Sequence, residues 1–294
     1  MAIALGIAAA VLWGTADFLA RFSTRQIGTF RTLLFMQAVG VGILTVWLTI
    51  DGELAREFSA HSWALWGWVA LSGTLSSVAT LGFYRSLEIG TISIVAPVCS
   101  VYPALTLLLS MYAGERVSKI HIVGIFISLV GVVLAATSFK PLPVDAAGSG
   151  IRPRGRLTRG VGLALMASTI YGINFWLIGY HIITKMGASM SVWGVRLLGS
   201  ILLVAIAAPA KQSFRLPPMR SWLLIVSVGV FDAGAFLVTS LGLHTGHVAV
   251  VTVIGSLFSA VTVFLAWIVL RERLERTQWL GICLIFIGIV LVSI

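Results

Sequence analysis

Glu115-Arg116, followed by Gly124-Ile125-Phe126-Ile127-Ser128-Leu129-Val130-Gly131-Val132-Val133-Leu134, returns 157 residues later as Glu272-Arg273 and Gly281-Ile282-Cys283-Leu284-Ile285-Phe286-Ile287-Gly288-Ile289-Val290-Leu291. Upstream the register drifts by one or two residues: Gly73 and Gly90 match Gly229 and Gly246, Trp13-Gly14 matches Tyr171-Gly172, and Gly40 matches Gly199. The chain is therefore a two-copy repeat. Each copy holds an odd number of apolar runs, so the second must enter a bilayer upside down relative to the first. An inverted repeat of that kind is the signature of an alternating-access transporter.

Composition points the same way. Hydrophobic residues make up 59% of the chain and charged residues only 10%, against about 25% charged in a soluble domain. Apolar runs long enough for a helix across ~30 Å of hydrocarbon fall near 3–22, 29–50, 63–84, 91–113 and 120–138, and again near 160–182, 190–208, 221–242, 247–270 and 277–294. No run alternates apolar with polar residues as an outer-membrane barrel strand does, which leaves helices to satisfy the backbone in lipid. The expected architecture is an all-α membrane protein of ten transmembrane helices, arranged as two five-helix inverted repeats. The first repeat covers 1–138, a polar linker 139–159 and the second repeat 160–294. The run from Ile3 to Ala20 lacks a basic leader and resembles Gly162–Tyr180, so it reads as the first span rather than a signal peptide.

The net charge of +10 does not indicate nucleic acid, because the basic residues are scattered through short breaks between apolar runs. On the side shared by both termini lie four of them, Arg56, Arg116, Lys119 and Lys185. On the other lie fifteen: Arg21, Arg25, Arg31, Arg85, Lys140, Arg152, Arg154, Arg156, Arg159, Lys211, Arg215, Arg220, Arg271, Arg273 and Arg276. This bias places the linker in the cytoplasm and both termini outside the cytoplasmic membrane. Cys99 and Cys283 sit inside apolar runs and read as small packing residues, with no disulfide or metal framework.

A helix, a Glu-Arg pair, a short polar step and a closing span with Gly-x6-Gly-Val/Ile-x-Leu resemble the EamA-type repeat of the drug/metabolite transporter superfamily, over essentially the whole chain. A proline about a dozen residues before the Glu belongs to that pattern. Pro103 matches it, while Ser259 stands in the equivalent place of the second copy, which predicts that the second half lacks the helix break. The resemblance implies a ten-helix fold that moves a small metabolite or drug, with the bilayer and that solute as partners and no cofactor. Members often carry both termini in the cytoplasm; the charge bias of this chain says the reverse.

Physical reasoning narrows the residues of interest. A charge at the bilayer centre costs at least ~2.5–3.5 kcal/mol. Asp232 lies mid-span between Val228-Gly229-Val230-Phe231 and Ala233-Gly234-Ala235-Phe236, with no cation within a helical turn. It is the coupling candidate, taking up a proton or a cationic substrate; the alternative is a neutral acid hydrogen-bonded to a neighbouring helix. Asp17 lies four residues before Arg21, a spacing that predicts a local ion pair. Arg196 either neutralises a buried acid such as Asp232, binds an anionic group, or snorkels. Trp13, Tyr171 and Trp176, with Asn174 among them and Tyr102 on the fourth span, are candidate walls of a substrate cavity together with Asp17 and Asp232. The paired glycines, Gly124/Gly131 and Gly281/Gly288, allow close helix approach and read as scaffold. Glu115 and Glu272 read as helix-terminus anchors.

Hinge or gate candidates are Gly90, Pro97 and Pro103 around the span 3–4 turn, and His244 and Gly246 at the span 8–9 turn. Arg85 and Glu88 should pair. His244 and His247 without a carboxylate or thiol make no metal site. The chain has no HExxH, GxSxG or nucleotide-binding loop, so an intramembrane enzyme is disfavoured. A secondary carrier, possessing or lacking proton coupling, is the expected function, with a channel as the remote alternative.

Overall fold

The computed structural model describes residues 2–60, 62–113, 118–138, 156–207, 209, 211–244, 255 and 257–292. Its helices are α1 (Ala2–Ile27), α2 (Thr29–Ile50), α3 (Glu53–Ala60), α4 (Trp63–Ile89), α5 (Ile92–Cys99), α6 (Tyr102–Tyr112), α7 (Lys119–Ala136), α8 (Val161–Leu177), α9 (Ile183–Met186), α10 (Ala188–Ala207), α11 (Met219–His244), α12 (Phe258–Leu265) and α13 (Arg276–Val292). A π-helical turn, Ile178–Ile182, joins α8 to α9, and a second, Ala266–Leu270, extends α12. Two residue pairs, Thr137 with Leu157 and Ser138 with Arg156, form a minimal antiparallel ladder (β1, Thr137–Ser138; β2, Arg156–Leu157) that brings the two ends of the linker together. Among the described residues six helices are long and apolar enough to cross a membrane, and four shorter apolar helices accompany them.

Local sequence explains the breaks. Gly28 takes φ +87°, a left-handed backbone region open to glycine, and so turns α1 directly into α2. Ser62 caps α4 by accepting a hydrogen bond from the Leu65 N–H. Pro103 stands in the first turn of α6, where its missing N–H is no loss; it therefore starts a helix after the break at Ser100-Val101, whereas Pro97 lies inside α5. The second half has no proline at the equivalent place, and a helix starts there nonetheless. Leu257, 157 residues beyond Ser100, leaves helical geometry with ψ 5°, much as Val101 does with ψ −4°, and α12 begins at Phe258.

Packing repeats when the two halves are exchanged. α1 lies against α11 and α12, and its counterpart α8 lies against α4 and α6; α2 packs on α11 as α10 packs on α4; α7 packs on α13. The match extends to single atoms. Thr262 Oγ1 donates to the Gly14 carbonyl at 3.1 Å, and Thr106 Oγ1 to the Gly172 carbonyl at 3.0 Å. A Cβ on Gly14 would stand 2.6 Å from the Phe258 carbonyl oxygen, and one on Gly172 would stand 2.9 Å from that of Tyr102. Between α7 and α13 the contact is backbone to backbone: a Cβ on Gly131 would meet the Gly281 carbonyl at 2.7 Å, and one on Gly288 the Gly124 carbonyl at 2.6 Å. Lipid offers no hydrophobic drive to pair helices, so such close approach supplies the dispersion contacts that do.

A side chain at the tightest of these points has nowhere to go. A Cβ at position 281 would lie 2.3 Å from the Ala135 backbone nitrogen. Gly281→Val should destabilise the folded protein by about 1–3 kcal/mol, the usual cost of overpacking, read as a lowered unfolding midpoint in detergent. Gly162→Val, where a Cβ would meet nothing within 4 Å, should leave that midpoint within error.

Candidate functional site

Asp232 does not stand alone. Arg196, on α10, reaches across to α11 and its Nη2 forms an ion pair with Asp232 Oδ2, with side chains 7% and 13% exposed. Of the readings of Arg196, neutralisation of Asp232 is the one this contact bears out, while snorkelling and an Asp232 without a partner are corrected. No cation lies within a turn of Asp232 on its own helix, because the partner comes from the preceding span. The guanidinium also lies 4.8 Å from the centroid of the Phe236 ring, one turn beyond Asp232. Gly40 on α2 makes the space: a Cβ there would be 2.8 Å from Arg196 Nη1. Arg196 Nε has no hydrogen-bond partner among the described residues.

Asp17 is a buried acid with no counter-ion among the described residues. It is buried, 8% exposed, and among the described residues it has neither ion-pair nor hydrogen-bond partner. It faces the same interior as Asp232, and the two repel when both are charged. The local pair expected from its spacing to Arg21 does not form. Arg21 turns away to Glu272, at 3.2 Å, and donates to the carbonyls of Leu87 at 3.1 Å and Gly90 at 2.8 Å.

The aromatic candidates divide into two matching groups. Trp13 packs edge-on against Phe236, with ring centroids 5.1 Å apart, and against Phe258 at 6.3 Å. Tyr171 hydrogen-bonds Thr80 through its hydroxyl at 2.7 Å and meets Tyr102 edge-on at 6.2 Å, while Tyr102 stacks on Phe175 at 4.8 Å. Thr80 and Tyr102 stand 156 residues before Phe236 and Phe258, so one arrangement recurs about the centre, aromatic in one half and hydroxyl-bearing in the other. Asn174 and Trp176 are placed differently. Asn174 accepts a hydrogen bond from Ser72 on α4 at 2.8 Å and so joins two helices. Trp176 packs with Tyr180 and His181, and His181 stacks on Trp68 at 4.4 Å; this places Trp176 in a separate aromatic cluster around the π-helical turn.

Among the hinge candidates, Gly90 ends α4 at a point of close packing: a Cβ there would be 2.7 Å from the carbonyl oxygens of Arg159 and Ser86. Arg85 and Glu88 pair at 2.7 Å as expected. His244 is the last residue of α11; Gly246, His247 and the pair Glu115-Arg116 lie outside the described residues. Glu272 is the residue whose role exceeds the sequence reading. Besides holding Arg21 it accepts from the N–H groups of Ile92 at 3.3 Å and Ser93 at 3.0 Å, capping α5 of the other half. Its place in the repeated Glu-Arg pair marked it as an anchor, but nothing in the sequence said to what.

The buried pair has a measurable consequence. Asp232→Leu strands the Arg196 guanidinium in a buried site, and the expected loss of stability is about 3–5 kcal/mol. Arg196→Met combined with Asp232→Leu removes both charges, and should cost clearly less than the two single changes added together. Thermal or denaturant unfolding of the four proteins as a double-mutant cycle measures the coupling.

A crystal structure described simply as that of a protein superposes with a TM-score of 0.66 at 19% identity, over 99% of this chain and 95% of that one; the likeness is one of fold. An uncharacterized protein of Methanocaldococcus jannaschii is 27% identical over 139 residues, which are 47% of this chain and 97% of that protein, so that relative is about as long as one half. The model of the EamA-like transporter family matches twice, over residues 1–137 and 158–294. With its run of apolar helices the chain is an integral, multi-pass membrane protein. Both halves carry the same family's repeat, and the chain belongs to the EamA-like transporter family.

Proposed function

We propose that this protein is a secondary transporter that moves a small organic metabolite or drug across the cytoplasmic membrane by alternating access. Ten transmembrane helices, as two five-helix inverted repeats on either side of a cytoplasmic linker, would carry the movement. The observation that carries this reading is the exchange of matching contacts between halves, Thr262 with Gly14 and Thr106 with Gly172, around buried charges. Two halves that grip each other identically have two equivalent ways to rock, and a solute held between them faces each side in turn. Trp13, Tyr102 and Tyr171 supply apolar and hydrogen-bonding walls, and Asp17, Asp232 and Arg196 the charge.

Asp17 is the better coupling residue of the two acids. Asp232 has a fixed counter-ion in Arg196; among the described residues Asp17 has none, so a proton or a cationic group is the natural neutraliser of a carboxylate held there. The reading divides on this point. A proton-independent facilitator of the same fold is favoured by the Arg196 contact if Asp232 is purely structural and Asp17 rests protonated throughout the cycle.

Counterflow of labelled metabolites into liposomes holding the purified protein tests the carrier reading itself. With a solute in hand, Asp17→Asn should abolish accumulation driven by a pH gradient while retaining exchange of unlabelled for labelled solute. Normal accumulation by Asp17→Asn moves the coupling to another group, whereas exchange without accumulation by the unaltered protein selects the facilitator.

Orientation has its own test. In a protein lacking Cys99 and Cys283, a cysteine replacing Ser149 in the linker should be shielded from impermeant thiol reagents in intact cells. Rapid labelling there, with protection at the C-terminus, reverses the proposed topology.

A further inference from the structure

On the side of the molecule where α1 ends, four separate stretches of chain are tied by one cluster. Arg21 on α1 donates to the carbonyls of Leu87 and Gly90, at 3.1 and 2.8 Å, and pairs with Glu272 at 3.2 Å. Glu272, just beyond α12, accepts from the N–H groups that open α5. Arg25 adds a hydrogen bond from Nε to the Glu88 carbonyl at 3.1 Å. Thus the positive side chains satisfy the carbonyl end of α4 and the carboxylate satisfies the amide end of α5, each at the helix pole whose partial charge it opposes. The side chains of Arg21 and Glu272 are 8% and 12% exposed, so their attraction is little screened by solvent. The α4–α5 turn, Gly90 included, cannot swing away from α1 and α12 without breaking the whole set.

In sequence the repeat does not duplicate the cation of this cluster. Trp13 corresponds to Tyr171, and the same offset of 158 sets Gly179 opposite Arg21. At that position the second copy offers no cation to the other Glu-Arg motif. We propose that Arg21 and Glu272 are a one-sided latch of the transport cycle: they hold the linker-side gate shut through the α4–α5 turn, so that the protein rests closed toward the linker and opens there only when the ion pair parts. This rests on the alternating-access reading above and adds to it which gate is held and by which side chains.

Cys99 reports the event. It is 1% exposed, on the same α5 that Glu272 caps, and within electrostatic range of Asp17 at the centre. The experiment uses the full chain with Cys283→Ser, in membrane vesicles that present the face on which a cysteine at Ser149 reacts. The rate of Cys99 modification by a cationic methanethiosulfonate added to that face measures opening. Glu272→Gln and Arg21→Gln should each raise this rate about tenfold, a factor within reach of one lost charge-assisted contact. The double variant should be faster than wild type by clearly less than the product of the two single effects, because both changes remove the same ion pair, and Arg21→Lys should fall between. Unfolding midpoints establish that each variant is folded; should Glu272→Gln fail to fold, Glu272→Asp, which keeps the charge on a shorter arm, replaces it and should give an intermediate rate. Unchanged Cys99 rates in folded variants, or additive effects in the double variant, overturn the latch. Faster Cys99 modification in a protein that exchanges no solute in counterflow keeps the latch and removes the carrier reading, and solute exchange with Cys99 rates unchanged does the opposite.

Discussion

Backbone approach at glycine is the constraint on which this fold depends. Inside lipid, apolar side chains gain nothing by leaving one apolar neighbour for another, so helices stay together only where their surfaces fit closely. Gly14, Gly73, Gly131, Gly172, Gly229, Gly281 and Gly288 each place the space of a missing Cβ within 3 Å of a backbone atom on a facing helix. These contacts join one half to the other. They bring α7 against α13 and wedge α1 and α8 into the opposite halves, and so they decide which side chains share the interior.

Charges then settle within that frame. Gly40 leaves a gap that the Arg196 guanidinium fills, and from there it can reach Asp232 on the next span. Leaving either charge alone in the interior would cost several kcal/mol, so the pair fixes the relation of α10 to α11 as firmly as packing does. Asp17 is set on α1 by the Gly14 contact one turn earlier. It enters the same interior with no cation left over among the described residues, because the nearest one on its own helix, Arg21, meets a stronger set of acceptors in Glu272 and two helix-end carbonyls.

Much of this was legible in the sequence, for identifiable reasons. Hydrophobic run length marks helices because the bilayer requires it, and the recurring glycines revealed the repeat because close approach tolerates no substitute. The Arg85–Glu88 pair was legible since both partners lie on one helical turn. What spacing along a helix does not reveal is a partner on another helix. Asp232 looked isolated when judged by its own neighbours, and Arg196, 36 positions earlier, offered only the signal of being the one cation inside the adjoining span. Asp17 and Arg21 had ideal spacing and do not pair, since i, i+4 geometry is worth only ~0.2–0.5 kcal/mol and yields readily to a carboxylate at a helix end. The proline of the first copy marked a helix start that its absence from the second did not predict; Leu257 leaves helical geometry and a helix begins after it without a proline.

Symmetry in the scaffold and asymmetry in the charges have different consequences. Were the halves alike in every respect, the conformations closed on either side would have equal energy, and nothing intrinsic would choose between them. Glycine contacts and the two threonine bonds repeat faithfully, which would keep the two arrangements of the proposed cycle mechanically equivalent. Arg21 against Gly179, Arg196 against Gln37, and Asp17 against Phe175 do not repeat. Each unrepeated charge adds a free-energy difference between states that the scaffold alone would leave degenerate, and a ligand can shift that balance only by as much as its affinities for the two states differ. A buried acid without a partner is where such a difference is most easily made, since neutralising it in one arrangement and not the other changes the electrostatic cost of that arrangement alone.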